Sequence, residues 1–584
     1  MYPLFESKRG ASTYYLTRVI FLRGLSALYF LAFLIAYQQN EGLLGNNGLL
    51  PVNQYFFRLK EYVNASKIHG KQSISPLECF LQFPSLIWFL DFQGQHVFHY
   101  MQQCALAGMT ISMVIFIHGR SNAIMMIVLW LLYFSIESFG QQWYAFGWES
   151  QLLETGFIAI FLVPVLAINF HDDHIAIGKE LGHVKVAIYA YWWLIFRIMI
   201  GAGLIKIRGD YCWRDLTCMD YHYETQPVPN PLSYFFHYNV AWFHRLETMV
   251  NHIVELVTPW FMFLGNRRLR LANALIQISF QLVLICSGNL SFLNWLTLLP
   301  SLTFLDDEFL LHNFPMLWED HHRHIVSEIQ KNQERSSSTE SWSISFIFSK
   351  LTVLINYIRS IFFVLLIAFL SVPVGRNLLA FDGKQAMNKS FHNFKLVNTY
   401  GAFGSITKQR TEVILQGTLE DISDPSIDTN SQIEWKEYEF KCKPGNVDRR
   451  PCIISPYHYR LDWLMWFTAF GSYQQHPWLL HLTAILLSNQ TDTYESVYDL
   501  LESNPFNATH PPKYIRAEHY LYEFTEPARS WFQRSGIDSL SQSSGDTGTW
   551  WTRKRIGSFF PPISLDNMSF QNFGKQAGFT FPKH

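Results

Sequence analysis

Charge is scarce in this sequence. Asp, Glu, Lys and Arg make up 16% of its 584 residues, against the roughly 25% usual in soluble domains, and they nearly cancel, to a net charge of -1. No long basic run is present, so nucleic acid has no electrostatic footprint to bind. Cysteine is sparse, at 7 residues, and no two form a Cys-x-x-Cys pair, which excludes a thioredoxin-type exchange motif. HExxH, Walker, GxSxG and GxGxxG patterns are missing as well. The sequence therefore carries no catalytic signature, and neither a metal nor a cofactor is expected.

Aromatics are what it has in excess, at 17%, with 50 Phe and 19 Trp. The mild mean hydropathy of +0.05 averages an apolar first two thirds with a polar last third. A helical span needs about 20 apolar residues. The run from Leu16 to Tyr37 is longer than a signal h-region and lacks a small-x-small cleavage site, so it reads as an uncleaved first span. Lys8, Arg9 and Arg18 would hold the N-terminus in the cytosol. Further spans are expected near 100–118, 123–140, 152–168, 186–207, 249–264, 274–288, 290–305 and 351–372, about nine in all. Phe80–Leu90, broken by Pro84 and closed by Asp91, reads as an interfacial segment.

The expected fold is a polytopic α-helical membrane domain, residues 1–375, followed by a mainly β, sandwich-like lumenal domain, 376–584. Arg120, Lys179, Lys185, Arg267, Arg268 and Arg270 fall in short loops on the cytosolic side, as the positive-inside rule requires. The polar stretch 306–350 would be a flexible cytosolic linker. Loops 38–99 and 208–248 and the C-terminal domain would lie opposite it. Acceptor triplets for N-glycosylation at Asn64, Asn388, Asn489, Asn507 and Asn567 all fall on that lumenal side; a sixth, at Asn289, sits in a tight turn too close to the bilayer.

Glu137, Glu149, Glu154, Arg197, Lys206 and Glu255 interrupt the apolar runs. Each costs about 2.5 to 3.5 kcal/mol at a helix centre, so each calls for a partner or a wet cavity. Arg197 is the deepest and Glu154 its expected partner, whereas Lys206 is near enough to a helix end to snorkel. An ion pair and a proton-relay or substrate pocket both remain open. His171–His174 and His321–His324 read as solvated polar turns.

Cys212 and Cys218 share one lumenal loop, and Cys442 and Cys452 flank a turn in the C-terminal part. Both pairs could close as short-range disulfides in an oxidising compartment, with a thiol-exchange role as the alternative. The C-terminal segments FKLVNTYGAF, TEVILQGTL, EWKEYEFKC, KYIRAEHYLYEF and WWTRKRIGSFFPP read as strands, and Trp478–Glu502 as a helical insertion. Tyr457–Trp466 also reads as a strand, placing His458, Arg460 and Asp462 on one face. Gly203–Pro231, GLIKIRGDYCWRDLTCMDYHYETQPVPNP, is the densest polar and aromatic loop of the chain. Its Trp213, Arg214, Asp215, Tyr221, Tyr223 and Glu224 are the candidate protein-contact residues, because exposed aromatics and Arg supply binding energy at interfaces.

Several long strings are specific: WESQLLETGF from Trp148, RIMIGAGLIKIRGDYCWRDLTCMDYHYETQPVPNP from Arg197, SGNLSFLNWLT from Ser287, VNTYGAFGSIT from Val397, and YEFKCKPG with RRPCIISPYHYRLDWLMWF from Tyr438 onward. Together they resemble the lipase maturation factor family over nearly the whole chain. The resemblance implies a multi-pass endoplasmic reticulum protein without catalytic activity that helps secreted homodimeric lipases of the lipoprotein lipase type fold, assemble and leave as active enzymes. It implies contact with these clients through lumenal loops and the C-terminal domain, with other lumenal chaperones as further partners. The family is often described with fewer spans. A distant likeness of the membrane part to vitamin K-dependent carboxylases keeps an intramembrane enzyme as the rival reading, and thiol redox assistance as another.

Overall fold

The computed structural model describes residues 14–66, 74–165, 181–315, 344–381, 383–422, 433–507, 509–526 and 549–579. The first part is helical: α1 (Tyr15–Leu44), α2 (Val52–Ala65), α3 (Val97–His118), α4 (Ala123–Phe139), α5 (Gly147–Leu162), α6 (Leu181–Arg208), α7 (Ala241–Leu256), α8 (Arg267–Ser287), α9 (Leu293–Leu302) and α10 (Ile344–Leu379). Among the described residues, five helices are long and apolar enough to cross a membrane: Tyr15–Leu44, Val97–His118, Val184–Arg208, Arg267–Ser287 and Leu354–Leu379. Each of the nine expected stretches falls on or beside a helix, but they are not all of membrane length. α9 has 10 residues, which at 1.5 Å per residue reaches about half of a 30 Å hydrocarbon core. The interfacial stretch near residue 84 is two short helices, Pro76–Gln82 and Ile87–Leu90, on either side of Pro84. Their Leu77, Leu81, Phe89 and Leu90 are exposed.

α1 is the hub of the bundle, with most of its length buried. Its partners approach closely where side chains are smallest. A Cβ on Gly156 of α5 would fall 1.8 Å from the Tyr29 hydroxyl, so the helix cannot carry even a methyl there. At the start of α1 the orphan N–H groups of Tyr15, Leu16 and Thr17 donate to the Asp307 carboxylate at 2.7, 2.9 and 3.3 Å, an anion at the positive end of a helix. Next to it Asp306 accepts from Arg267 at 2.7 Å and from Arg270 at 2.6 Å. This charged cluster marks one end of the bundle. At the other end Gln39 donates to the His458 carbonyl at 2.8 Å, and Arg208 to Gln385 at 2.6 Å, so the C-terminal region sits there.

The C-terminal region is β-rich, and among the described residues it forms one four-stranded sheet and two two-stranded ones, without the second large sheet that a sandwich needs. A single four-stranded antiparallel sheet, with β1 (Arg410–Thr418), β2 (Lys436–Glu437), β3 (Tyr514–Phe524) and β4 (Trp551–Ile563), runs in the order β2-β1-β3-β4. β1 and β3 pair over nine positions, from Arg410 opposite Tyr522 to Thr418 opposite Tyr514. β1, rich in Val, Ile, Leu and Thr, is buried on both faces, as a strand covered on two sides must be. Helices α11 (Arg460–Thr468), where a further strand was expected, and α12 (Pro477–Ser488), in the expected helical insertion, pack on β1 and β3 respectively. α11 also overturns the strand expected at Tyr457–Trp466. α13 (Met568–Ala577), capped by Asn567, closes the described chain. The His171–His174 and His321–His324 clusters and most of the 306–350 stretch lie outside the described residues; its first part forms the short helix Asp307–Asn313 and its last part opens α10.

Candidate functional site

The six charges that interrupt the apolar runs are all committed, and four of them reach the C-terminal region. Glu137 on α4 pairs with Lys395. Glu149 on α5 pairs with Arg460 of α11 at 2.7 Å, both groups fully buried. Arg460 also donates to the Trp143 carbonyl at 2.6 Å and lies 3.6 Å over the Tyr144 ring. One turn and a half further along α5, Glu154 pairs with Arg197 of α6. It also accepts from the Asn398 backbone at 2.9 Å and the Tyr400 hydroxyl at 2.7 Å, while Arg197 donates to the Asn398 carbonyl at 2.6 Å. A buried ion pair is tolerated only with such additional hydrogen bonds. Lys206 does not snorkel: its ammonium is buried against Glu255 at 2.6 Å and Asn251 at 3.0 Å on α7.

The Gly203–Pro231 loop leaves α6 and folds as two short helices, Tyr211–Arg214 and Met219–Thr225. Cys212 and Cys218 are disulfide-bonded between them, and Cys442 with Cys452 beyond. The candidate contact residues separate into two groups. Trp213 is 1% exposed and Tyr223 5%. Trp213 donates to the Phe403 carbonyl at 2.8 Å and Tyr223 to Glu247 at 2.8 Å, so these two aromatics are the core of the loop and not its surface. Arg214 and Asp215 are exposed, and Tyr221 and Glu224 partly so. Tyr211, overlooked in the sequence, is 74% exposed beneath the Arg214 guanidinium at 4.2 Å; its position one residue before a disulfide cysteine was the only available signal.

The loop is fixed to the sheet by Arg410, which opens β1 and is fully buried. Its guanidinium donates to the backbone carbonyls of Glu224 at 2.9 Å, Gln226, and Pro227 at 3.0 Å, and pairs with Glu412 at 2.5 Å. Glu412 in turn takes Lys443 at 3.0 Å. Glu224 accepts the Phe524 N–H at the end of β3, 2.8 Å away, and faces His237 at 3.4 Å. Burial pushes the Glu224 carboxyl up to about 7, against the opposing pull of the Phe524 N–H and Arg410. Burial likewise holds His237 down to about 4 and, with the Lys206 charge, His222 down to about 3. Neutral imidazoles here are hydrogen-bonding and packing groups.

His458, Arg460 and Asp462 do not share a strand face. His458 meets Ser291 at 2.8 Å, Arg460 takes Glu149, and Asp462 accepts the N–H groups of Cys442 and Lys443 at 2.5 and 2.8 Å. Of the acceptor triplets, Asn64, Asn388, Asn507 and Asn567 are exposed, whereas Asn489 and Asn289 are buried. Among the described residues no group of three or more His, Cys, Asp or Glu is placed to hold a metal ion.

Membrane-length helices with a β-rich region fastened to one end of them by buried ion pairs define a polytopic membrane protein with a large extramembrane body. Comparison with known proteins supplies the family. Residues 16–312 match the model of the lipase maturation factor transmembrane domain, and 396–561 that of the lipase maturation factor C-terminal domain. The chain is 45% identical to lipase maturation factor 1 of Mus musculus over 556 residues, covering 95% of this chain and 88% of the relative. It is 44% identical to that of Homo sapiens over 559 residues, covering 95% and 89%. Lipase maturation factor 2 of Xenopus tropicalis is 28% identical over 644 residues, covering 96% and 84%. The chain belongs to the lipase maturation factor family. No solved structure is significantly similar to it.

Proposed function

We propose that this protein is a multi-pass endoplasmic reticulum maturation factor that binds secreted homodimeric lipases and carries them to the active, exportable state. The observation that carries the reading is the 44–45% identity, along 95% of the chain, to proteins named for lipase maturation. The N-terminus is cytosolic and the C-terminal region lumenal. In support, Arg267 and Arg270 cluster with Asp306 at the end of the bundle remote from the C-terminal region, where positive charge belongs. Successive helices also reverse between the two ends: α1 ends and α5 begins beside the C-terminal region, while α4 starts beside Pro164 at the end of α5. That alternation of α1, α4 and α5 fits the nine traverses read from the apolar runs, with the short helices completed by flanking turns.

Clients meet the outer face of the 208–248 loop, with Arg214, Asp215 and Tyr221 as contact residues, joined by Tyr211, while Trp213, Tyr223 and Glu224 hold that face from below. The two rival readings lose their motive. Lys206 and Glu154, the bases an intramembrane enzyme would use, each carry a salt bridge and further hydrogen bonds, and Cys218 of the bridged pair is fully buried. The test is co-expression with a secreted homodimeric lipase in cells lacking their own maturation factor. Secreted activity should return with the parent chain, and fall together with lipase co-purification for Tyr211→Ala/Arg214→Ala/Asp215→Ala. A parent chain that restores no activity overturns the function. A triple variant indistinguishable from the parent overturns this surface.

A further inference from the structure

Six Asn-x-Ser/Thr triplets are present, at Asn64, Asn289, Asn388, Asn489, Asn507 and Asn567, and a triplet that carries the bulky sugar belongs to the protein surface. Modification replaces one hydrogen of Nδ2 with a sugar. Two of the six are buried, with Nδ2 turned into the fold. Asn489 is 3% exposed and sits at the left-handed C-terminal position of α12, with φ 48°, a conformation Asn tolerates better than most residues. Its Nδ2 donates to the Asn507 carbonyl at 2.5 Å, and its Oδ1 accepts from Asn504 at 3.1 Å. Asn289 is 1% exposed. Its Nδ2 donates to the carbonyls of Cys452 at 2.8 Å and Pro229 at 3.4 Å, and its Oδ1 accepts the N–H groups of Ile454 and Ser455, both at 3.2 Å. Both residues are hubs that bind separate segments together.

Asn64 and Asn507 are the opposite case. Asn64 is exposed in the last turn of α2, and Asn507 is exposed in the turn that Asn489 holds in place. Neither side chain makes a hydrogen bond among the described residues, so both amides are left to solvent. Asn388 and Asn567 are exposed but use Oδ1 to accept the N–H groups of Gly401 and of Ser569 and Phe570.

We infer that the chain carries N-linked oligosaccharides at Asn64 and Asn507 and none at Asn289 and Asn489. The inference rests on the lumenal reading proposed above. The donor is a lipid-linked oligosaccharyl diphosphate of the secretory membrane: the bond from sugar C1 to the phosphate oxygen breaks, the bond from C1 to Nδ2 forms, Nδ2 loses a proton and the lipid diphosphate leaves. Asn489 and Asn507 thus form an asymmetric pair. The first gives its amide hydrogen to the fold so that the second can be presented to the transferase and to solvent.

The test uses the full-length chain expressed in mammalian cells, with mobility on a denaturing gel read before and after a peptide N-glycosidase. To spare the Asn489 hub, the triplets at Asn64, Asn489 and Asn507 are broken at their third residue. Ser66→Ala and Thr509→Ala should each remove one glycan step, and Thr491→Ala and Asn289→Gln none. A step lost with Thr491→Ala or Asn289→Gln overturns the inference, as does a parent chain that carries sugar but loses none with Ser66→Ala or Thr509→Ala. A parent chain bearing no sugar at all overturns the lumenal orientation itself.

Discussion

Arg460→Met removes one cation from a place where nothing can replace it. Arg460 and Glu149 are both 0% exposed, so the variant leaves a buried carboxylate whose remaining donors are the Tyr133 hydroxyl and the Trp148 indole at 3.0 Å. Breaking a buried pair from one side costs about 3 to 5 kcal/mol. At about 1.4 kcal/mol per tenfold change, that lowers the ratio of folded to unfolded chain by two to nearly four orders of magnitude. The Met side chain fills much of the vacated volume, so the loss reports the stranded charge more than a cavity. Glu149→Gln added to Arg460→Met should therefore recover at least half of the loss, because the neutral amide is far cheaper to bury. Denaturant titration of the purified chain in detergent, followed by protease resistance of the C-terminal region, gives both numbers as a double-mutant cycle. An Arg460→Met variant within about 0.5 kcal/mol of the parent, or a double variant no more stable than the single one, would refute the reasoning.

Three other outcomes follow from the same contacts. Glu224 titrates near 7 when folded, above its ordinary 4.5, so the folded state binds the extra proton. Its contribution is full below the unfolded value and is lost as pH rises through about 7, a change of at most about 3 kcal/mol; Glu224→Gln should flatten stability measured from pH 5 to pH 8 and gain most at pH 8. Gly156→Ala should lower the melting temperature in detergent, because the added methyl meets the Tyr29 hydroxyl and overpacking costs about 1 to 3 kcal/mol. Cys212→Ser/Cys218→Ser should destabilise the loop by about 2 kcal/mol, seen as faster proteolysis between α6 and α7, with no client trapped as a mixed disulfide in either form.

Much of the helical part was legible because apolar runs leave a signal in one dimension: every expected stretch falls on or beside a helix, and Arg197 faces Glu154. The rest depends on partners that lie far away along the chain. Arg460 is 311 residues from Glu149, and a period-two reading of His458, Arg460 and Asp462 could not show that each answers to a different element. Lys206 was misjudged for the same reason, since its counter-charge sits on the next helix. Trp213 and Tyr223 look like surface aromatics only while the Phe403 segment and Glu247 that enclose them are out of view. Of the two helices that cover the sheet, α12 lies in the helical insertion expected at Trp478–Glu502, whereas α11, rich in Leu, Trp and Phe, reads as a strand from the sequence.

The ion pairs at the end of the bundle also set an order of events. Glu137 and Glu149 enter the membrane early in synthesis, whereas Lys395 and Arg460 are made more than two hundred residues later. Until then the nascent helices carry charges that cannot settle. A chain stopped before Lys395 is therefore deprived of more than its tail: its membrane part is left with unanswered carboxylates and should be treated by the cell as an orphan subunit.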